Sequence, residues 1–175
     1  ELGLDLDFVA VNRGDARAMA HLLMYDSVHG ALPFTLEVER DCIIVDGSEL
    51  RVLYESDPGR LPWGDLGVRL VIEASGRFRD RAGALKHLEA GAEKVLISAP
   101  ADDPDLTVVM GVNDHLYDPE RHVIVSNASC TTNCVAPMVK VIHNEFGVES
   151  GFMNTIHAYT NTQTLLDRAQ KDLRR

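Results

Sequence analysis

Cysteine is scarce in this chain: Cys42, Cys130 and Cys134 are the three in 175 residues. An odd and low count does not build a disulfide scaffold and suits a reducing compartment. No further Cys or His stands at zinc-ligand spacing from Cys130 and Cys134, so no metal site is expected. A positive balance is missing too. Seventeen Lys and Arg against 27 Asp and Glu leave a net charge of −10, which argues against nucleic acid or an anionic membrane as the main partner. No apolar run approaches the roughly 20 residues of a membrane span. The first residues, Glu1-Leu2-Gly3-Leu4-Asp5, lack the basic and apolar regions of a signal peptide. A cytoplasmic setting is expected.

What is present is an alternation. Short apolar runs recur at 5–12, Cys42–Val45, Leu50–Tyr54, Leu70–Glu73, Val95–Ile97, Leu106–Met110 and Val123–Val125. Helical spacing falls between several of them, over Ala16–Met24 behind a capping Asp15 and over Arg79–Glu89. Strands alternating with helices predict a doubly wound α/β sheet. Asp46-Gly47, between two closely spaced runs, predicts a hairpin. One motif is absent: a dinucleotide-binding sheet opens with strand, G-x-G-x-x-G turn and helix, and no such turn occurs here.

The most informative stretch is Ser126-Asn127-Ala128-Ser129-Cys130-Thr131-Thr132-Asn133-Cys134. A strand pattern precedes it. Apolar residues at Val135, Met138, Val139, Ile142 and Phe146 follow at helical spacing. Ser129 reads as the N-cap, which puts Cys130 in the first helical turn. There the helix dipole and unpaired N–H groups stabilise a thiolate and can hold an oxyanion formed when it attacks a carbonyl. From placement alone, a nucleophile and an inert packed cysteine stand level. Cys134, one turn on, reads as packing.

That stretch resembles the active-site signature of the phosphorylating glyceraldehyde-3-phosphate dehydrogenases. The resemblance runs on through the segments 20–30 (AHLLMYDSVHG), 61–64 (LPWG), 73–78 (EASGRF), 96–100 (LISAP), 110–113 (MGVN), 157–160 (HAYT) and 171–175 (KDLRR), so it covers essentially the whole chain. It implies a Rossmann-type parallel sheet whose first βα unit is missing, followed by the start of an α+β catalytic domain. The expected division is 1–129, nucleotide-binding, and 130–175, catalytic. The strand 151–158 would open the second part. The piece, about the middle half of a family chain, is expected to be inactive and aggregation-prone by itself.

By the same resemblance, Cys130 is the nucleophile that forms a thiohemiacetal and then a thioester. His157, 27 positions on, is the base that lowers its pKa. Ser129, Thr131 and Thr160 match positions that hold phosphate groups of the aldehyde substrate or of attacking inorganic phosphate. Ser75, Gly76 and Ser98 would line the dinucleotide, with Asn12 and Arg13 near its ribose. Family members that use NAD carry an acid after that Asn. Here Asn12-Arg13-Gly14-Asp15 puts an arginine first, which admits NADP as well as NAD. Family members are usually homotetramers. Three other readings stay open: the related erythrose-4-phosphate dehydrogenase type, against which Thr160 speaks; a Cys–His hydrolase, against which the doubly wound pattern and the lack of an orienting Asn or Asp speak; and an inactive nucleotide-binding piece.

Overall fold

A computed structural model describes residues 6–160 of the chain. In order, it contains β1 (Ala10–Asn12), α1 (Ala16–Met24), β2 (Tyr25–Asp26), β3 (Gly30–Ala31), β4 (Leu36–Glu39), β5 (Cys42–Val45) and β6 (Ser48–Leu53). There follow β7 (Leu70–Glu73), α2 (Arg81–Glu89), β8 (Lys94–Ile97), β9 (Leu106–Thr107), β10 (Ile124–Ser126) and α3 (Cys130–Phe146). The α/β alternation expected from the sequence is present.

Two four-stranded sheets carry the fold, in the orders β1-β6-β5-β4 and β7-β8-β10-β9. The second is parallel throughout. The first is mixed: β1 runs parallel to β6, while β6, β5 and β4 form antiparallel hairpins. Asp46 and Gly47, at φ 49° and 82°, make the turn between β5 and β6. Both central residues being left-handed is the primed geometry that Asp-Gly favours. In the doubly wound order 3-2-1-4-5-6, β6 and β1 fit positions 3 and 2, and β7, β8 and β10 fit positions 4, 5 and 6. Position 1 of that order, in space between β1 and β7, is filled by no strand among the described residues.

Three clusters make the core. Ala16 and Ala20 of α1 pack on Ile43 and Val52 of the first sheet. Ala84 of α2 packs on Val95, Ile97 and Ile124 of the second. Leu61, Trp63, Val71 and Ala92, with Ala10 and Leu53 against them, join the two sheets. Gly91 is needed at this seam. It sits at φ +104°, and a Cβ there would meet the Gly64 backbone at 2.6 Å. Among the described residues no helix is long and apolar enough to cross a membrane.

Several expected elements differ. The run at 106–110 is a strand only over Leu106–Thr107, because Asn113 takes the following backbone: Val109 N–H donates to its Oδ1 and its Nδ2 donates to Thr107 O. Such local side-chain bonds compete with the ladder. Of the run at 5–12, the described residues 6–12 form a strand only over the last three, with Leu6 and Phe8 exposed. No strand forms at 151–158. A lone extended segment has no neighbour to take its N–H and C=O groups, and Phe152 and Ile156 are fully exposed. The apolar face of α3 is also exposed, at Met138, Val139, Ile142 and Phe146, and Cys134, read as packing, is exposed.

Candidate active site

The sharp turn from β10 into α3 is held by bonds within it and by bonds to the 97–99 segment. Ser126 is fully buried; its Oγ donates to Ala99 O at 2.8 Å and accepts from Ala128 N–H at 3.1 Å. Asn127 N–H donates to Ile97 O. Ala128 is buried and left-handed, φ 57°, a conformation that an L-residue adopts only at a cost. Ser129 then caps α3, its Oγ accepting from Thr132 N–H at 2.9 Å and lying 2.6 Å from Thr132 Oγ1. Asn133 closes the turn by donating from Nδ2 to the carbonyls of Asn127 (2.8 Å) and Ser129 (2.9 Å).

This turn presents Cys130 as the first residue of α3, exposed. Its Sγ lies 3.2 Å from His157 Nε2. His157 Nδ1 lies 2.5 Å from the Ala158 carbonyl; a carbonyl only accepts, so Nδ1 carries the proton and Nε2 is left to serve the sulfur. The His157 contact holds the Cys130 thiol below its ordinary pKa, aided by the Thr131 hydroxyl, 4.0 Å away, and the Thr131 N–H. The bond to Ala158 O raises the imidazole's pKa, with Cys130 adding to the rise. Both shifts favour the thiolate–imidazolium pair. The structure thus brings together Ser129, Cys130, Thr131 and His157. Thr160, three residues on, is exposed in the same irregular segment.

The strands of the second sheet end on the same edge as this turn, because they are parallel. Ser98 follows β8 and its N–H donates to Glu73 O at 3.0 Å; its side chain is exposed. Gly76 is exposed at φ +73°, with nothing within 4 Å of where a Cβ would stand. Arg13 is exposed, with no ion pair among the described residues. Open glycine backbone and a hydroxyl at the carboxyl edge of the second sheet, and a guanidinium just after β1 of the first, are donors of the kind that suit a phosphate-bearing dinucleotide. Asn12 and Ser75 are bound internally instead. The Asn12 amide donates to Glu55 O at 2.7 Å and accepts from Glu55 N–H at 2.9 Å. Ser75 gives both its N–H and its hydroxyl to Glu73 Oε1.

Reading the sequence overlooked the residues beneath this edge. Glu73, His87 and Trp63 are linked and buried. Trp63 Nε1 donates to His87 Nδ1 at 3.0 Å, and His87 Nε2 lies 3.1 Å from Glu73 Oε2. Burial pushes the Glu73 carboxyl up, but the bonds from His87 and Ser75 outweigh it and hold it below the ordinary carboxylate range. The available signal was a Glu closing an otherwise apolar run, Leu70-Val71-Ile72-Glu73. Asn133, Ser126 and Ala128 were quoted only as motif letters.

The second sheet is a parallel α/β sheet of the nucleotide-binding type, and where its strand β10 turns into α3 an exposed thiol with a lowered pKa stands against an imidazole. Comparison with known proteins gives the family. Residues 3–81 match the glyceraldehyde 3-phosphate dehydrogenase NAD binding domain, and residues 129–175 match the C-terminal domain of the same family. The chain is 55% identical over 172 residues to the glyceraldehyde-3-phosphate dehydrogenase of Geobacillus stearothermophilus, covering 98% of the chain and 51% of that relative. It is 54% identical over 176 residues to that of Streptomyces coelicolor, covering 100% of the chain and 52% of the relative. To glyceraldehyde-3-phosphate dehydrogenase 1 of Bacillus subtilis it is 52% identical, with 98% and 51% covered. The chain belongs to the glyceraldehyde-3-phosphate dehydrogenase family. It spans about half the length of the curated relatives it matches.

Proposed function

We propose that the protein containing this chain oxidises the aldehyde of D-glyceraldehyde 3-phosphate and transfers the acyl group to inorganic phosphate, giving 1,3-bisphosphoglycerate, with Cys130 as nucleophile and His157 as base. The observation that carries this reading is the 3.2 Å approach of His157 Nε2 to Cys130 Sγ at the start of α3. With Nδ1–H held by Ala158 O, Nε2 takes the thiol proton and the thiolate attacks the aldehyde carbon. The carbonyl oxygen becomes an oxyanion beside the first N–H groups of α3, then a hydroxyl on the thiohemiacetal. His157 next removes that hydroxyl proton as the C–H bond breaks. A nicotinamide cofactor, when bound, supplies the acceptor for the hydride. A thioester remains on Cys130; a phosphate oxygen attacks it, the C–S bond breaks, and the thiolate is restored. Ser129, Thr131 and Thr160 are the residues proposed to hold the phosphate groups, the first two beside a helix N-terminus that favours anions.

The cofactor is proposed to be NADP as well as NAD. Asp15, the nearest acid after Asn12, is occupied as the N-cap of α1, its Oδ1 accepting from Arg17 N–H at 2.6 Å and Ala18 N–H at 3.4 Å. Arg13 stands two residues before it without an acid partner among the described residues. The domain seam is proposed at 129/130, where the buried turn hands over to α3. Homotetramer assembly in a cytoplasmic setting completes the reading.

The test is turnover by the full-length protein with the triose phosphate, phosphate and either dinucleotide. Phosphate-dependent reduction that disappears in Cys130→Ser is expected, and comparable KM values for NAD and NADP. No turnover, or turnover that survives Cys130→Ser, would sink the mechanism. A KM for NADP more than about 100-fold above that for NAD, equivalent to roughly 2.7 kcal/mol, would remove the dual-cofactor reading alone.

A further inference from the structure

We propose that Trp63, His87 and Glu73 are positioning residues for the Ser75–Gly76–Arg77 loop. They form a buried relay whose hydrogen-bond directions the indole N–H sets, and which aims the loop's backbone at the dinucleotide. The inference rests on the reading that this loop lines bound NAD or NADP.

The relay admits one proton pattern. An indole nitrogen only donates, so the 3.0 Å bond from Trp63 makes His87 Nδ1 an acceptor. The imidazole proton therefore sits on Nε2 and points at Glu73 Oε2, 3.1 Å away. An imidazolium would set a second N–H against the indole. On the other side, Glu73 Oε1 receives the N–H and the hydroxyl of Ser75. The carboxylate thus collects three donors, and a proton on it would face all of them. Ser75 passes the order one step further, its Oγ accepting from Arg77 N–H at 3.1 Å. Between them lies Gly76, the exposed residue with open space where a side chain would be.

Both ends of the relay are anchored. Trp63 is held against α2 by Gly64 N–H donating to Ala90 O at 3.0 Å and by the Gly91–Gly64 approach. His87 is stacked with Trp63 and takes the Phe78 ring edge-on. Glu73 is 6% exposed and His87 3%. Packing alone does not call for this arrangement, since an apolar trio of the same volume would fill the space without burying a charge. What the charge adds is direction: it fixes which way two N–H groups and a hydroxyl of the loop point. None of the three residues reaches the edge itself, so they act through Ser75.

The experiment is a double-mutant cycle in the full-length protein, reading NAD and NADP dissociation constants by calorimetry. Melting temperature and the Cys130 alkylation rate serve as controls on the rest of the fold. In Glu73→Gln the new amide N–H meets His87 Nε2–H head-on. Binding is expected to weaken at least about tenfold, the scale of one opposed buried donor, while Cys130 alkylation changes less than about twofold. In Trp63→Phe the indole N–H is gone, so the imidazole can move its proton to Nδ1 and accept the introduced amide N–H at Nε2. Glu73→Gln on that background is expected to weaken binding by less than about threefold. Equal losses on both backgrounds, or an unchanged dissociation constant in a folded Glu73→Gln protein, would overturn the relay. If the wild-type protein binds neither dinucleotide, the underlying cofactor reading fails, and the relay's role with it. If Glu73→Gln does not fold, Ser75→Ala carries the test, with a loss of at least about threefold expected for one hydrogen bond and no loss counting against the relay.

Discussion

Two imidazoles in this protein face a partner at nearly the same distance and do different things with it. His87 Nε2 lies 3.1 Å from Glu73, inside the fold; His157 Nε2 lies 3.2 Å from Cys130, at the surface. His87 has both ring nitrogens engaged by buried groups, so its proton has one place to be. His157 has only Nδ1 fixed, by Ala158 O, and Nε2 shares a proton with a thiol that is free to give it up. The comparison teaches that a hydrogen bond of a given length is structure or chemistry according to how many other groups constrain its proton.

Removing the mobile pair's imidazole should have the largest effect. His157→Ala in the full-length protein is expected to lower turnover by about 10²- to 10⁴-fold, the usual worth of a positioned acid–base group. It should also move the pH midpoint of Cys130 alkylation upward. In the wild type that midpoint should lie below the free-cysteine value of about 8.5, because His157 depresses the thiol's pKa. A midpoint that His157→Ala leaves in place would dissolve the contrast between the two pairs. The melting temperature should hardly change, since both partners are exposed.

The buried pair should respond in the opposite way. Glu73→Ala leaves His87 Nε2–H and two Ser75 donors without an acceptor, at an expected cost of about 2–3 kcal/mol in unfolding free energy, while Cys130 alkylation is unaffected. The pH dependence has a definite sign. The folded carboxyl is held below its ordinary value. Its contribution is therefore complete above the unfolded carboxylate value of about 4.3 and is lost as pH falls through the lower folded value. Urea melts across that acid window should show this loss in the wild type and not in Glu73→Gln. A parallel decline in both would mean that Glu73 is not the titrating group.

The smallest effect concerns the turn that carries Cys130. Ala128 at φ 57° carries a left-handed penalty of roughly 1–2 kcal/mol. Ala128→Gly relieves it but loses most of the gain to chain entropy, for a net stabilisation of about 0.5 kcal/mol by chemical denaturation. A loss of stability would mean that the Ala128 methyl, buried in the turn, contributes more by packing than its backbone conformation costs.

Much of the fold was legible because its causes are local. Asp15 and Ser129 cap the helices they were expected to cap, Asp46-Gly47 turns its hairpin, and Leu70–Glu73 and Cys42–Val45 are strands over their expected bounds. Each depends on residues a few positions apart. The failures were also instructive. Val109 satisfies a strand pattern but gives its N–H to the Asn113 side chain, which also takes the Thr107 carbonyl, and 151–158 has the composition of a strand without a neighbour to pair with. Apolar pattern indicates what a segment can do; a ladder requires a partner.

At the site, the sequence alone determined the cysteine, its helix cap and the histidine, since the first two are set by adjacent residues and all three stand in recognisable motifs. Tertiary structure decided the rest. It brought His157 to Cys130 across 27 residues. It joined His87 to Trp63 across 24 and to Glu73 across 14, and it bound Asn12 to Glu55 across 43. Which polar groups are free for a ligand, and which are already engaged with one another, depends on such long-range approaches. Chain-local preferences carry no information about them, because the contact exists only once the sheets have packed.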